Sequence, residues 1–254
     1  MAQAVEPTSN RFAAADGVEL VWHEMGVGRP VVLLHGLFSD ARTNWIRFGH
    51  AAQIAERGFR VIMPDLRGHG ESGKPHEASF YPPDILADDG RALIARLELE
   101  DYDLGGYSLG GRTAVRMVVG GATPRRLIVS GMGLEGLLDT HSRSEHFKRI
   151  LTGLGTHARG SPEWLAEAFL KTTGGDPAAL LPLLDSFVET SQAALRTIAM
   201  PTLIVSGTDD DDNGSSEALA RLLPDGRFEA VPGNHMSAVT KPDLGRAMAD
   251  FLAS

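Results

Sequence analysis

The stretch YDLGGYSLGGRTAVRM, Tyr102 to Met117, sets one serine, Ser108, among four glycines: Gly105, Gly106, Gly110 and Gly111. Its first half reads as a buried strand. From Leu109 to Val118 its apolar residues fall at helical spacing. A strand that passes directly into a helix leaves Ser108 at a sharp bend. Gly106-Tyr107-Ser108-Leu109-Gly110 fits the pattern G-x-S-x-G in the strand–turn–helix context which that pattern requires. A serine there takes a strained backbone conformation, and Gly106 and Gly110, without Cβ atoms, let the turn close. The helix starts at the hydroxyl, where its N-terminal dipole favours developing negative charge. These features mark Ser108 as a candidate nucleophile. Gly111 is expected to let the helix pack close to the sheet.

Working outward, VVLLH (Val31 to His35), FRVIMPD (Phe59 to Asp65), RRLIVSG (Arg125 to Gly131) and TLIVSG (Thr202 to Gly207) are near-continuous apolar runs. Such runs are expected of strands buried on both faces. RFEAVPG (Arg227 to Gly233) is a weaker last strand, and FAAADGVELVWHEMG reads as a hairpin turning at Asp16-Gly17. Helical spacing recurs over Thr43 to Glu56, Pro83 to Leu97 and Ser215 to Leu223. It recurs again in KPDLGRAMADFLAS, with Pro242 near the first turn. This alternation predicts an α/β fold, a mostly parallel sheet flanked by helices.

From about Leu134 to Met200 no strand is evident. GSPEWLAEAFLKTT and DPAALLPLLDSFVETSQAAL read as helices opened by Ser161 and Asp176 as N-caps. One crossover needs only about a dozen residues. The segment is therefore expected to form a small helical cap, dividing the chain into core residues 1–133, cap residues 134–200 and core residues 201–254.

The composition narrows the function. The chain has 254 residues and a net charge of −9, which argues against nucleic acid or anionic membrane as a partner. It has no cysteine, which excludes disulfides, thiolate catalysis and cysteine-based metal sites. The N-terminus, MAQAVEPTSNRFAAADG, lacks the basic flank and apolar stretch of a secretory signal. No segment approaches the roughly 20 apolar residues that span a bilayer. A cytoplasmic protein acting on a small molecule is expected, and the sequence carries no signal for an oligomeric state.

A serine hydroxyl needs a base. Of nine histidines, His235 in VPGNHMS follows the last strand and precedes the last helix, on the sheet edge shared with Ser108. His35 reads as a structural turn residue and His69 as a loop residue. The base in turn needs a carboxylate. SGTDDDDNG offers Asp209, Asp210, Asp211 and Asp212, which residue chemistry alone does not separate. The oxyanion of an acyl-transfer intermediate needs backbone N–H donors. One is expected from Leu109, the other from the turn after VVLLHG, at Leu37 with Phe38 as the alternative.

With HGLF at His35 to Phe38, DLRGHGES at Asp65 to Ser72, GYSLGG at Gly106 to Gly111, PTLIVSGTDD at Pro201 to Asp210 and GNH at Gly233 to His235, the chain resembles the α/β-hydrolase superfamily. The resemblance implies an eight-stranded, mostly parallel sheet with a helical cap between strands six and seven. It also implies an acid three residues after the glycine that ends its strand; carried onto Gly207, this selects Asp210. Members acting on epoxides or haloalkanes use an aspartate where this chain has Ser108. Members that cleave carbon–carbon bonds often carry tryptophan where Met236 stands. Cofactor-free haloperoxidase-like members share Ser, Asp and His, and often work as esterases or perhydrolases.

The expectation is a serine hydrolase acting on a small, largely uncharged carboxylic ester through Ser108, His235 and Asp210, with neither metal nor organic cofactor. Phe38, Tyr107, Met132, Leu134, Trp164 and Met236 are expected as substrate-pocket walls. Lactone, thioester or carbon–carbon hydrolysis, perhydrolysis and acyl transfer are alternative uses of the same triad. A non-catalytic ligand-binding member of the fold is a further alternative.

Overall fold

The computed structural model describes residues 6–254. The first five residues of the N-terminal stretch read for a signal lie outside them. β1 (Thr8–Ala13) and β2 (Glu19–Met25) form the antiparallel hairpin expected at Asp16-Gly17. β3 (Arg29–Leu34), β4 (Phe59–Pro64), β5 (Asp103–Tyr107), β6 (Leu127–Ser130), β7 (Thr202–Gly207) and β8 (Gly226–Val231) complete the sheet. Its eight strands run in the order β1-β2-β4-β3-β5-β6-β7-β8. β2 pairs antiparallel with β4, and every pair from β4 to β8 is parallel.

Alternation along the strands splits the core in two. Val32, Leu34, Leu104, Val129 and Ile204 point to one face, where they meet α2 (Ile85–Arg96), α3 (Leu109–Val119) and α9 (Ser216–Leu222). Val31, Leu33, Ile128, Leu203 and Val205 point to the other, against α1 (His50–Ala55) and α11 (Pro242–Ala253). Most of these side chains are fully buried. Each stabilises the fold by about 1.5–3 kcal/mol relative to leaving it in water.

Between β6 and β7 the chain forms α4 (Leu134–Leu138), α5 (Thr140–Thr152), α6 (Pro162–Thr172), α7 (Pro177–Leu184) and α8 (Gln192–Leu195), with no strand among them. Ser161 and Asp176 cap α6 and α7 by accepting from the N–H groups of Trp164 and Ala178. Leu137, Leu151, Leu170, Leu180 and Leu183 of these helices join the first apolar cluster. The single helix read over Thr43 to Glu56 is instead a π-helical turn, Arg42–Ile46, followed by α1. Gly49 breaks it, at a φ of 81°. The Asn44 side chain also turns away to accept from Gly36 N–H at 3.0 Å.

The strand order reverses at β3: the chain leaves β3 for β4 on one side and returns to β5 on the other. In open α/β sheets the crevice at such a switch point, beyond the strand C-termini, is where ligands bind. Here the turn carrying Leu37 follows β3 and the turn carrying Ser108 follows β5.

Candidate active site

Ser108 sits between β5 and α3 at φ 53° and ψ −112°. A non-glycine residue in such a sparsely populated region costs about 1–3 kcal/mol. The surroundings hold it there: its N–H donates to Ser130 O at 2.8 Å, and Arg112 N–H donates to its carbonyl at 3.0 Å. A Cβ on Gly106 would lie 2.2 Å from the Gly110 carbonyl carbon, and one on Gly110 would lie 2.0 Å from Leu34 O. Only glycine fits either position.

His235 opens α10 (His235–Ala238). Asn234 caps this short helix, its side chain accepting from Ser237 N–H at 2.9 Å while Ser237 Oγ accepts from Asn234 N–H at 2.9 Å. The reciprocal pair fixes the histidine's backbone. His235 Nε2 lies 3.0 Å from Ser108 Oγ, and His235 Nδ1 lies 3.0 and 3.1 Å from the two carboxylate oxygens of Asp210. Asp210 sits beyond β7 in a turn closed by its N–H to Gly207 O at 3.2 Å, and its carboxylate is 2% exposed. Asp209, Asp211 and Asp212 are exposed. The fold thus brings one of the four aspartates to the histidine.

The turn after β3 is held on several sides. His35 donates from Nδ1 to Gly36 O at 2.8 Å and accepts at Nε2 from Leu66 N–H at 2.9 Å. Burial lowers the pKa of His35 and keeps it neutral, which suits one donated and one accepted bond. This is the structural role expected of it. The turn runs alongside the serine: a Cβ on Gly36 would lie 3.6 Å from Ser108 Cβ. Among the described residues, nothing accepts from Leu37 N–H or Leu109 N–H.

The remaining predicted residues are placed unevenly. Phe38, at a φ of 61°, is buried with its ring 5.5 Å from that of Phe147 on α5. Met132 and Leu134 belong to the same apolar cluster as Phe38 and Leu109. Trp164 is half-buried on α6 and stands outside that cluster, and Met236 is 50% exposed beside His235. Tyr107 points into the opposite core, with Val205 and Ala238. Its hydroxyl donates to His235 O at 2.5 Å, and its ring lies 5.3 Å from the imidazole. Tyr107 therefore meets the site as a support behind the histidine and not as a pocket wall, because strand alternation turns it away from Leu109.

Three contacts escaped the sequence reading. Thr173 Oγ1, just past α6, donates to Phe38 O at 2.6 Å. Phe147 packs on Phe38, and Asn44 holds Gly36. The first two join segments more than a hundred residues apart, and the third, eight residues apart, follows no repeating spacing. No three His, Asp or Glu residues among the described ones converge as a metal site requires.

From residue 31 to residue 244 the chain matches the model of the alpha/beta hydrolase family. The chain belongs to this family. Among α/β-hydrolase relatives, it is 28% identical to a non-heme haloperoxidase of Rhodococcus erythropolis, over 95% of this chain and 98% of the relative. A bromoperoxidase from Bacillus anthracis superposes with a TM-score of 0.78 at 24% identity, covering 97% of this chain and all of the other. An esterase from Exiguobacterium antarcticum superposes at 0.77 and 22% identity, with coverage of 97% and 100%. At those identities the two structures show the α/β-hydrolase fold.

Proposed function

We propose that this α/β hydrolase is a serine hydrolase that cleaves small carboxylic esters through an acyl-enzyme on Ser108. The observation that carries the reading is the continuous relay from Ser108 Oγ through both nitrogens of His235 to Asp210, with 3.0 Å at each step. His235 Nε2 takes the serine proton as Oγ attacks the ester carbonyl. Asp210 holds the Nδ1 proton in place and stabilises the imidazolium that forms. The unclaimed N–H groups of Leu37 and Leu109 are the donors for the tetrahedral oxyanion. As the intermediate collapses, His235 protonates the departing alkoxide. A water then gives its proton to His235, attacks the acyl carbon and releases the acid, and Ser108 regains its hydrogen.

In this reading, helices α4 to α8 form a cap over the crevice. Thr173 and Phe147, both from this segment, contact Phe38 of the oxyanion turn. Phe38, Met132, Leu134, Trp164 and Met236 line the substrate pocket, and Tyr107 acts by holding His235.

The test is turnover of p-nitrophenyl esters of increasing acyl length by the native protein beside Ser108→Ala. Release of nitrophenolate by the native chain and its loss in Ser108→Ala are expected. Turnover surviving in Ser108→Ala would remove Ser108 from the nucleophile role.

A further inference from the structure

Two arginines beside the site lack the acidic partner that a cation out of water requires. Arg112 lies one helical turn past Ser108 and is only 6% exposed. Its Nη2 donates to Gly136 O at 2.8 Å and its guanidinium lies 5.1 Å from the Phe187 ring, but its buried Nε has no acceptor. Arg143, on α5, is half-buried with its guanidinium 5.1 Å from the Phe147 ring. Among the described residues it donates to nothing, and no carboxylate approaches within 4.0 Å of either arginine. The other arginines without an acidic partner are all exposed. In a chain with 33 Asp and Glu against 24 Lys and Arg, one buried and one half-buried guanidinium without a carboxylate partner are an exception.

Arg143 is tied to the site through its neighbours. Phe147, beneath Arg143, packs on Phe38 of the turn that bears Leu37. Burial lowers the pKa of Arg143, while the carboxylates of Asp212 and Asp210 favour its charged form. Arg112 and Arg143 also repel each other: burial first, then Arg143, brings the Arg112 pKa down to about 10. Through Phe147, Arg143 stands beside the turn that bears Leu37. Asp210 is engaged by His235, and neither it nor Asp212 comes within 4.0 Å of Arg143, whose guanidinium makes no hydrogen bond among the described residues.

We propose that Arg143, backed by Arg112, binds an anionic group on the substrate, so that the preferred substrate is an ester carrying a carboxylate. This rests on the serine-esterase reading and replaces the largely uncharged ester expected from the sequence: two arginines set positive charge beside the site although the whole chain is acidic. A guanidinium grips a carboxylate through two parallel N–H donors, which fixes orientation as well as charge.

The experiment compares p-nitrophenyl valerate with mono-p-nitrophenyl glutarate, matched in length and differing by a terminal carboxylate. The native protein is expected to favour the glutarate ester by about tenfold in kcat/KM, mainly through KM, with the preference shrinking at high salt. Arg143→Gln should erase the preference, and Arg143→Lys should keep part of it. Arg149→Gln, an exposed arginine on the same helix, should retain it in full. Native preference for valerate, or equal losses on both esters in Arg143→Gln, overturns the proposal. If neither ester is cleaved, the esterase reading fails and glutarate binding by calorimetry decides. Binding by the native chain that is lost in Arg143→Gln upholds the anion site, and no binding overturns it.

Discussion

Thr173 Oγ1 donates to the carbonyl oxygen of Phe38 at 2.6 Å. The bond fastens the segment after α6 to the turn after β3, one residue from Leu37. A residue with a positive φ, such as Phe38, holds its place only when its neighbours determine it. Thr173→Val keeps the shape and removes the donor. We expect a loss of about 1 kcal/mol in unfolding free energy, together with a roughly tenfold fall in kcat as the Leu37 amide loses alignment. Urea unfolding and ester kinetics check both; destabilisation with kcat unchanged would mean that the bond serves the fold alone.

The four aspartates after β7 should separate cleanly. Asp210→Asn should lower kcat by roughly 10⁴-fold, because an amide no longer holds the productive tautomer of His235. Asp209→Asn and Asp211→Asn, both exposed, should stay within about threefold of native. An Asp209 or Asp211 variant as impaired as Asp210→Asn would contradict the relay.

Gly106→Ala drives a methyl into the Gly110 backbone at 2.2 Å. Backbone does not swing aside as a side chain can, so the cost should be about 3 kcal/mol or more. Gly17→Ala offers the contrast. Gly17 has a φ of 84° and nothing within 4 Å of a Cβ, so only the left-handed strain of about 1–2 kcal/mol applies. Denaturation midpoints of the two variants test the difference, and equal losses would show that the turn yields.

Acid should weaken the fold through His69. Its ring is buried beside His35, with Nδ1 donating to Arg67 O at 3.1 Å, and burial pushes its pKa down from 6.5 to about 3. The unfolded chain takes up a proton below about pH 6.5, whereas the folded chain refuses it until about pH 3. This share of stability is complete above pH 6.5 and is lost as the pH falls toward 3. His69→Asn keeps a donor for the Arg67 carbonyl but cannot titrate. Its unfolding free energy should change less than native between pH 7 and pH 4; equal slopes in urea melts at the two pH values would exclude His69 as the sensor.

Much of the site was legible because its parts are local. The G-x-S-x-G turn needs its own glycines, and a loop ending a buried strand places its residues on a known edge of the sheet. The four aspartates show where this stops. Their side chains are chemically alike, and family spacing, rather than residue chemistry, singled out Asp210. Tyr107 failed in the opposite way: its neighbour in sequence is Ser108, the proposed nucleophile, yet the pleat of β5 sends it to the far core.

By itself the chain's order of residues determined the buried strands, the strained serine turn and the chain order of serine, acidic loop and histidine, because each depends on neighbours or on strand–helix alternation. The tertiary structure decided which aspartate meets His235, that Thr173 and Phe147 contact Phe38 in the turn after β3, and that no carboxylate comes within 4.0 Å of Arg112 or Arg143 among the described residues. Those outcomes depend on distances between segments dozens of residues apart. Chain closure and packing set such distances, and no local pattern encodes them.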